Sequence, residues 1–340
     1  MVTIYDIAKK ANVSPMTVSR VINNSGRISE ATRQKVEKVI EELNYIPNSA
    51  ARSLISKESK ILSLLITDIT NPFFTRVARG AEDKARQLGY RLLLSNSDGN
   101  LEKESEYVTM LISTGVDGVL FAPAGDGSKK HLRTLIKHRI PFVLIDRSIE
   151  GVQSDLVLGN NREGTRMLIE HLIEQGHQNI ALINGPSNVS TARERQLAYE
   201  ETLKLADLPI NPKLIVESHY KRDDAHSAVE KLLQLSRTER PTAIFAANNF
   251  IAINAIRSLR KQGVRVPEDI AVACFDDLEP VSSLNPFLTV AAQPAYNFGS
   301  IGTQLLIERI EGTAPPEYRK IILPPELIIR QSSQTEHSSS

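Results

Sequence analysis

The stretch SPMTVSRVINNSG, residues 14–26, predicts a helix of fewer than three turns that ends in a turn. Ser14 is a preferred N-cap, and Pro15 suits the first helical position, where no backbone N–H is required. One face of this helix is apolar, since Val18, Val21 and Ile22 fall on one side. The other face serves no core and therefore needs another partner; it carries Met16, Thr17, Ser19 and Arg20.

Further helices are predicted on both sides of this stretch. Thr3 and Asp6 have the spacing of a capping box, and Ser29 is a suitable N-cap for a third helix. Apolar residues recur at helical spacing in both, at Ile4, Ile7, Ala8 and Ala11 and at Val36, Val39, Ile40 and Leu43. Three short helices, the first two joined by a tight turn, form a helix-turn-helix unit over residues 1–47, whose second helix enters the DNA major groove.

The outward face of the second helix has side chains that suit DNA reading. Arg20 can bind a guanine through both arms of its guanidinium, and Met16 can contact a thymine methyl group. The predicted DNA-contacting residues of this head are Thr3, Ser14, Pro15, Met16, Thr17, Ser19, Arg20, Asn23 and Arg27. The alternative is a plain three-helix bundle used for protein contact.

The charge distribution supports a polyanionic partner for the head alone. Residues 1–60 hold ten Lys/Arg and six Asp/Glu, a net charge of +4, and the remainder of the chain carries −3. No apolar run reaches the length of a membrane span, and the N-terminus lacks a secretory signal, so a cytoplasmic, nucleoid-associated protein without membrane contact is expected. The single cysteine, Cys274, excludes an internal disulfide and a multi-cysteine metal site.

A hinge helix and linker are predicted over residues 48–60. Pro47 ends the third helix, and Asn48 can cap a helix of about two turns that has no obvious core to join. Such a segment could order only on DNA, with Leu54 as a wedge between base pairs in the minor groove and Ala51 as a neighbouring contact. An ordinary flexible linker is the alternative.

The pattern VTIYDIAKKANVSPMTVSRVIN…S…TRQKV…LNYIPNSAARSL, within residues 2–54, resembles the head of the lactose/purine/ribose-repressor (LacI/GalR) family of bacterial transcription regulators. The resemblance implies that Pro15, Met16 and Arg20 read bases. It also implies that Leu54 of each subunit of a homodimer intercalates at a central CpG step of a pseudo-palindromic operator.

The rest of the chain alternates short apolar strands with helices, and the series occurs twice. Strands are predicted at 61–67, 91–96, 118–123, 142–146, 179–185, 214–218, 243–248 and 269–277. Continuous apolar strands separated by helices indicate parallel sheets covered on both faces, here two doubly wound lobes. The predicted fold is therefore α/β, with a ligand at the carboxyl ends of the strands in the cleft between the lobes.

Polar and aromatic residues gather at those strand ends. The candidates are Asn71, Phe73, Phe74, Asp146, Arg147, Arg195, Asn248, Asp276 and Gln293. Carboxylates, amides and guanidinium groups suit a polyhydroxylated ligand, and aromatic rings can cover the apolar face of a sugar. Unrelated caps and turns are the alternative, because Asp and Asn also favour turns for local reasons.

This region, residues 61–331, resembles the effector core of the same regulators, which is similar to periplasmic sugar-binding proteins. The resemblance implies that Phe73 and Phe74 stack on a sugar such as ribose, that the polar candidates hold its hydroxyls, and that Tyr220 adds another aromatic wall. Asn249 departs from the pattern, which usually has Asp there. The implied N-lobe spans about 61–159 and 294–321, the C-lobe about 160–293 and 322–331, and a disordered tail covers 332–340.

Three rival functions remain open. An enzyme is disfavoured, because the chain has no phosphate-binding glycine motif and no zinc-ligand spacing among its histidines; neither a cofactor nor a metal is expected. His171 and His177 are instead predicted to flank a helix end that favours positive charge. A secreted sugar-binding protein would lack the basic head. A DNA-binding regulator could also respond to a sugar acid, a nucleobase or a phosphoprotein corepressor, since Arg147 and Arg195 could hold an anion.

Overall fold

The chain folds into two compact units, Met1–Ser59 and Lys60–Ser340. The computed structural model describes residues 2–23, 25–45, 58–218, 225–278 and 286–334. Four predicted functional residues lie outside the described residues, namely Asn48, Ala51, Leu54 and Tyr220.

The N-terminal unit contains the three predicted helices, α1 (Ile4–Ala11), α2 (Pro15–Ile22) and α3 (Glu30–Glu42). Each helix begins at a hydroxyl cap, because Thr3, Ser14 and Ser29 each accept a hydrogen bond from the backbone N–H three residues further on. The α1 cap is a full capping box, since the carboxylate of Asp6 accepts the Thr3 backbone N–H at 2.8 Å. The apolar faces meet in one core of Ile7, Ala8, Ala11, Val18, Val21, Val36 and Val39.

The body contains two lobes, and in the described part of the chain each is built on a six-stranded sheet. The first sheet is parallel throughout, in the order β11-β5-β4-β3-β1-β2. Its strands are β1 (Ile61–Ile66), β2 (Arg91–Asn96), β3 (Gly118–Phe121), β4 (Phe142–Ile145), β5 (Asp155–Gly159) and β11 (Lys320–Leu323). Its helices are α4 (Pro72–Gln87), α5 (Leu101–Thr114), α6 (Lys129–Lys137) and α11 (Ala295–Ile310).

The second sheet has the order β12-β10-β9-β8-β6-β7, and β12 is its antiparallel edge strand. Its strands are β6 (Ile180–Asn184), β7 (Ile215–Glu217), β8 (Ala243–Ala246), β9 (Ala271–Phe275), β10 (Thr289–Ala292) and β12 (Glu326–Ile328). Its helices are α7 (Asn161–Glu174), α8 (Ser190–Leu205), α9 (Ala225–Leu233) and α10 (Asn249–Lys261). The central strands of both sheets are fully buried, as their continuous apolar runs predict.

Two helices of the first lobe cross at very short range. A Cβ atom on Gly80 of α4 would lie 2.0 Å from the carbonyl oxygen of Tyr296, and one on Gly299 of α11 would lie 1.9 Å from that of Val77. Only glycine fits at these two positions, so the packing of α4 on α11 depends on a pair of residues far apart in sequence.

The chain passes between the lobes three times, after β5, after β10 and after β11. Strand β11 runs to Leu323 in the first sheet, so the third crossing falls two residues later than the predicted boundary at 321. The sequence pattern predicts no strand at β5, β11 or β12 and no helix at α11. Strand β5 begins with Asp155, whose buried carboxylate binds Arg309 and Arg319, a partnership that local periodicity does not contain.

The prediction of a disordered tail from residue 332 is wrong at its start. Ser332 and Ser333 are fully buried. The Ser332 backbone N–H donates to the carbonyl of Phe287 at 2.9 Å, and its hydroxyl donates to that of Val272 at 2.6 Å. Ser333 is bonded to a ring nitrogen of His171 at 2.8 Å. These long-range bonds order two serines that look like tail in sequence. Among the described helices, none is both long and apolar enough to cross a membrane.

Candidate functional site

The structure places the predicted DNA-reading face on the surface of the N-terminal unit. Met16 is 62% exposed although it is apolar, which suits a contact made outside the fold. The exposed members of the predicted set are Thr3, Ser14, Met16, Arg20, Asn23 and Arg27, and the half-buried ones are Pro15, Thr17 and Ser19. Three of the set also have local structural roles: Thr3 and Ser14 cap helices, and Thr17 bonds to Ser14 at 2.9 Å between hydroxyl oxygens.

Tyr5 is a surface feature of the same unit that sequence reasoning missed. It lies on α1 and is 69% exposed, the most exposed aromatic side chain among the described residues. The signal was available, because Tyr5 falls off the apolar face formed by Ile4, Ile7 and Ala8. An exposed phenol offers both a flat apolar face and a hydrogen-bonding tip.

In the body, side chains from both lobes enclose a cavity of about 50 Å³ at the carboxyl ends of the strands. It is lined by Thr67, Asp68, Asn71, Phe73, Phe74, Asp146, Arg147, Thr191, Arg195, Asn248, Phe250 and Asp276. The fold therefore brings together eight of the predicted cleft residues, which span more than two hundred positions of sequence.

Two aspartates occupy equivalent places in the two lobes. Asp146 follows β4 and Asp276 follows β9, and both have left-handed backbones, with φ of +65° and +68°. Each backbone N–H donates to a neighbouring strand, Asp146 to Val157 at 2.9 Å and Asp276 to Ala291 at 3.0 Å. Asp is among the few side chains that tolerate this conformation, which is common at ligand sites.

Burial dominates the electrostatics of both aspartates. It raises the pKa of Asp146 even though Arg147 and Arg195 oppose the shift. It raises the pKa of Asp276 to about 6, against the attraction of Arg195 and a hydrogen bond from Gln293. The adjacent Asp277 behaves differently: burial acts to raise its pKa too, but the paired Arg330 guanidinium holds that pKa below its ordinary value. The pKa values of Asp276 and Asp277, neighbours in sequence, are therefore shifted in opposite directions.

The two arginines of the cleft are fixed by the protein itself. Arg195 is buried, donates to Asn161 at 2.9 Å and to the carbonyl of Ala247, and lies 3.9 Å from the centre of the Phe275 ring. Arg147 donates to the carbonyl of Pro123 at 2.9 Å and lies 3.3 Å from the Asp146 carboxylate. Both guanidinium groups are therefore held in fixed orientations at the cavity wall.

The aromatic wall is set by edge-to-face contacts. The ring centres of Phe73 and Phe74 are 5.1 Å apart with planes at 75°, and Phe73 lies 5.3 Å from Phe298 of α11. The two rings belong to the first-lobe core and also border the cavity. Phe250 borders the cavity from the second lobe.

Gln293 is the one described member of the predicted set that does not line this cavity. Its amide donates to the Asp276 carboxylate at 2.7 Å, so it acts on the cavity through Asp276. Gln293 borders a neighbouring cavity of about 500 Å³ beside two of the lobe crossings. Conversely, Thr67, Asp68, Thr191 and Phe250 line the small cavity although the predicted set omits them; their signal was their position just after a strand or in the first turn of a helix.

Among the described residues, no cluster of three His, Cys, Asp or Glu side chains is arranged to hold a metal ion. His171 lies in the last turn of α7 and His177 follows the end of that helix, as predicted. The expected positive charge is wrong, because burial lowers the pKa of both histidines. Desolvation of the imidazolium outweighs the helix-end dipole at these buried positions.

Two family models match the chain. Residues 3–48 match "Bacterial regulatory proteins, lacI family", and residues 169–333 match "Periplasmic binding protein-like domain". The first covers the three-helix unit, and the second covers most of the second lobe together with the later crossings.

Whole-length relatives agree with these matches. The HTH-type transcriptional repressor PurR of Aliivibrio fischeri strain MJ11 is 37% identical over 98% of each chain. The ribose operon repressor of Halalkalibacterium halodurans is also 37% identical, over 100% of this chain and 99% of the relative. The crystal structure of the lac repressor dimer bound to operator and the anti-inducer ONPF superimposes with a TM-score of 0.83 at 29% identity, covering 98% and 99%. The chain belongs to the lacI family of bacterial regulatory proteins.

Its class is therefore that of a DNA-binding transcriptional repressor, and it is not an enzyme. Repressors of this family bind DNA operators and small-molecule effectors and form dimers. The predicted fold class, a helix-turn-helix head followed by a periplasmic-binding-protein-like core, is confirmed.

Proposed function

We propose that the effector of this repressor is a monosaccharide, such as ribose or a related sugar, bound in the cavity between the two lobes. The observation that carries the proposal is the convergence of carboxylates, amides, guanidinium groups and phenyl rings from both lobes on one cavity. Sugar hydroxyls both donate and accept hydrogen bonds, and the Asp and Asn oxygens accept while the guanidinium groups donate. The phenyl rings supply the apolar wall.

The charge of the cavity wall favours a neutral ligand. Three aspartates, Asp68, Asp146 and Asp276, face two arginines, Arg147 and Arg195. Both arginines are also already engaged by Asp146, Asn161 and backbone carbonyls. An anionic sugar acid or phosphate would bring further negative charge to a wall with a formal excess of carboxylate, which is unfavourable in a poorly solvated site.

A nucleobase remains the second candidate. The relatives at 37% identity include both a repressor called PurR and a ribose operon repressor, so overall similarity does not decide between ligands. Three phenyl rings at the wall, Phe73, Phe74 and Phe250, could enclose a flat heterocycle as well as a sugar ring.

A ligand screen decides between these classes. The cavity of about 50 Å³ has about the volume of one or two water molecules, so we propose that the lobes part to admit a monosaccharide. We expect D-ribose or another neutral sugar to raise the melting temperature of the full chain, while uronates, hypoxanthine and guanine leave it unchanged. A rise with a purine alone would replace the sugar by a nucleobase; a rise with a uronate would refute the charge argument. Calorimetry then gives the affinity of the hit.

For the DNA partner we propose a pseudo-palindromic operator with a central CpG step, read by Pro15, Met16 and Arg20 of both subunits of a homodimer. The exposed thioether and guanidinium on α2 support this assignment. The edge strand β2 supports the dimer, because Leu93 and Leu94 are 38% and 46% exposed there. The remaining predicted contacts are those of Thr3, Ser14, Thr17, Ser19, Asn23 and Arg27 in the head and Asn48, Ala51 and Leu54 in the hinge segment.

Two variants test the DNA assignment by gel shift on the operator. Arg20→Ala should weaken specific binding by about 1–3 kcal/mol and relax the preference at one base pair. Leu54→Ala should weaken operator binding through loss of the minor-groove wedge and leave effector affinity intact. Lys60→Ala, which removes one positive charge outside the predicted contact set, is the control. Unchanged operator affinity in the Arg20 or Leu54 variant would remove that residue from the interface.

A further inference from the structure

One buried hydrogen bond joins the two lobes beside the cavity. The side-chain amide nitrogen of Asn249 donates to the side-chain oxygen of Asn71 at 3.1 Å, across 178 positions of sequence. Asn249 is fully buried and Asn71 is 7% exposed. Asn71 is the N-cap of α4 in the first lobe, and Asn249 is the first residue of α10 in the second.

The direction of this hydrogen bond is fixed by the backbone. The N–H of Phe73 points at Asn71 Oδ1 over 3.0 Å, and a backbone N–H can only donate. The Asn71 atom that faces it must therefore be an acceptor, and this same oxygen faces Asn249. Residue 249 must consequently supply a donor. A carboxylate there would set oxygen against oxygen, unless Asn71 turned over and gave up the cap on α4.

The pair is placed where it can control closure. Asn71, Phe73 and Phe74 line the cavity from the first lobe. Asn248 and Phe250, on either side of Asn249 in sequence, line it from the second. Two backbone N–H groups also donate hydrogen bonds from one lobe to the other. The Ser148 N–H donates to the Ser190 hydroxyl at 3.1 Å, and the Asp126 N–H donates to the Asn188 carbonyl at 2.9 Å. Closure of the lobes should also protect these two N–H groups from exchange with solvent, although they lie on other segments than Asn71 and Asn249.

We propose that Asn249 is a positioning residue of the effector switch: by donating to Asn71 it sets how readily the two lobes close. It acts through Asn71 and the two helix N-termini, without itself lining the cavity. Because the bond lies in a buried environment, a missing donor leaves the Asn71 oxygen partly unsatisfied and biases the lobes towards the open state. The positioning role concerns regulation of the same cleft that binds the proposed effector. Only its biological meaning rests on that proposed function.

The test makes the same chemical change on each side of the bond. Asn71→Asp keeps an acceptor for both Phe73 and Asn249, and Asp is a preferred N-cap, so closure should be retained or strengthened. Asn249→Asp removes the donor, so closure should weaken. Asn249→Ala removes the donor without adding charge and should weaken closure in the same direction. Each variant is made in the full chain, and circular dichroism melting confirms that it folds.

Hydrogen exchange of the Asp126 and Ser148 amides, followed by mass spectrometry without ligand, reports closure directly. We expect both Asn249 variants to speed exchange at these amides by about tenfold and Asn71→Asp to leave it equal or slower. Strand β3 amides serve as the reference. Unchanged exchange in the Asn249 variants, or equal acceleration by both Asp substitutions, would overturn the proposal.

A second arm separates this proposal from that of the effector. This arm compares only the wild type with the two Asn249 variants, because Asn71 itself lines the cavity. D-Ribose affinity measured by calorimetry should fall in both variants, because closure contributes to binding. If the wild-type chain ignores D-ribose while the exchange pattern stands, the sugar assignment fails and the positioning role of Asn249 survives. If D-ribose binds the wild type and both Asn249 variants equally, the positioning role fails alone.

Discussion

The N-terminal unit and the cleft of the body are built by contacts of very different range. The helices of the N-terminal unit begin at caps whose partners are three residues apart, as for Thr3 with Asp6. The cleft depends on contacts such as that of Asn71 with Asn249, which are 178 residues apart. Contacts within one helical turn are visible in a sequence, whereas contacts between lobes exist only after the chain has folded.

The two regions also differ in how they treat charge. The reading face leaves Arg20 and Arg27 exposed to water. The cleft removes Asp146 and Asp276 from water, and burial raises the pKa of both carboxyl groups. The DNA-reading face therefore costs little folding stability. The effector site, in contrast, holds buried carboxylates whose ionised forms destabilise the fold.

The largest expected effect tests the long-range packing of the body. Gly299→Ala would bring a methyl group to 1.9 Å from the Val77 carbonyl oxygen and force α11 away from α4. We expect the body to lose about 3 kcal/mol of unfolding free energy in urea. Ser300→Ala, one residue on in the same helix, is the matched control and should stay within about 0.5 kcal/mol of wild type. Equal unfolding free energies of the two variants would show that α4 and α11 can shift to accept the methyl group.

The next largest effect is expected at the buried carboxylate of Asp276, where one substitution should stabilise the fold and weaken effector binding. Since the folded pKa of Asp276 is raised to about 6, its ionised form destabilises the fold above that pH, and stability rises as pH falls from 6 towards 4. Asp276→Asn should therefore stabilise the body by about 2 kcal/mol at pH 7.5 and by less at pH 5, while weakening effector binding at least about tenfold.

Thermal melts at both pH values, with calorimetry of the effector, check this prediction. Asp277→Asn is the control beside it in sequence. Its carboxylate is paired with Arg330 and has a lowered pKa, so this variant should lower stability at pH 7.5. A stability gain that is the same at pH 5 and pH 7.5 would contradict the role of burial at Asp276.

A smaller effect is expected at the cap of the reading helix. Ser14→Ala removes the hydroxyl that accepts the Thr17 N–H at 3.1 Å and should destabilise α2 by about 1 kcal/mol, or about fivefold in operator affinity. Ser14→Gly costs only a few tenths of a kcal/mol as a cap. In a gel shift, a loss with Ala that Gly largely restores identifies capping as the role; equal losses would mean that the hydroxyl contacts DNA.

The smallest effect concerns an exposed contact between the lobes. Arg193 makes a two-pronged bond to Asp126 at 2.9 and 3.1 Å, and the two side chains are 40% and 50% exposed. Arg193→Ala should change closure by no more than about 0.5 kcal/mol, and high salt should mimic it. Hydrogen exchange at the Asp126 amide in low and high salt measures this. If Arg193→Ala speeds exchange at this amide more than Asn249→Ala does, the exposed contact stabilises closure more than the buried one, contrary to this prediction.

Much of the fold was predictable because its signals are local. Hydroxyl caps, apolar faces at helical spacing and continuous apolar strands located α1 to α3 and β1 to β4 within a few residues. Strand β5 escaped prediction because it begins with Asp155, whose arginine partners are distant in sequence. Strand β12 escaped because it has only three residues. Ser332 and Ser333 escaped because nothing local distinguishes them from a tail.

The candidate site was predictable as a set of residues but not as a geometry. Strand ends supplied Asp146, Asn248 and Asp276 because the carboxyl ends of parallel strands share one edge of a sheet. The same reasoning placed Gln293 in the cavity, whereas it binds Asp276 from outside. It also gave no hint that Asn249 would meet Asn71, because the alignment of the two lobes is not written in either segment.

The sequence by itself determined where the helices and strands begin and which side chains stand at their ends, because caps and periodicity act over a few residues of chain. Only the tertiary structure decided that Gly80 and Gly299 must be glycines, that Asp276 holds its proton to about pH 6, and that Asn249 faces an acceptor. Each of these depends on close approach or on loss of water, and both arise when distant segments pack together.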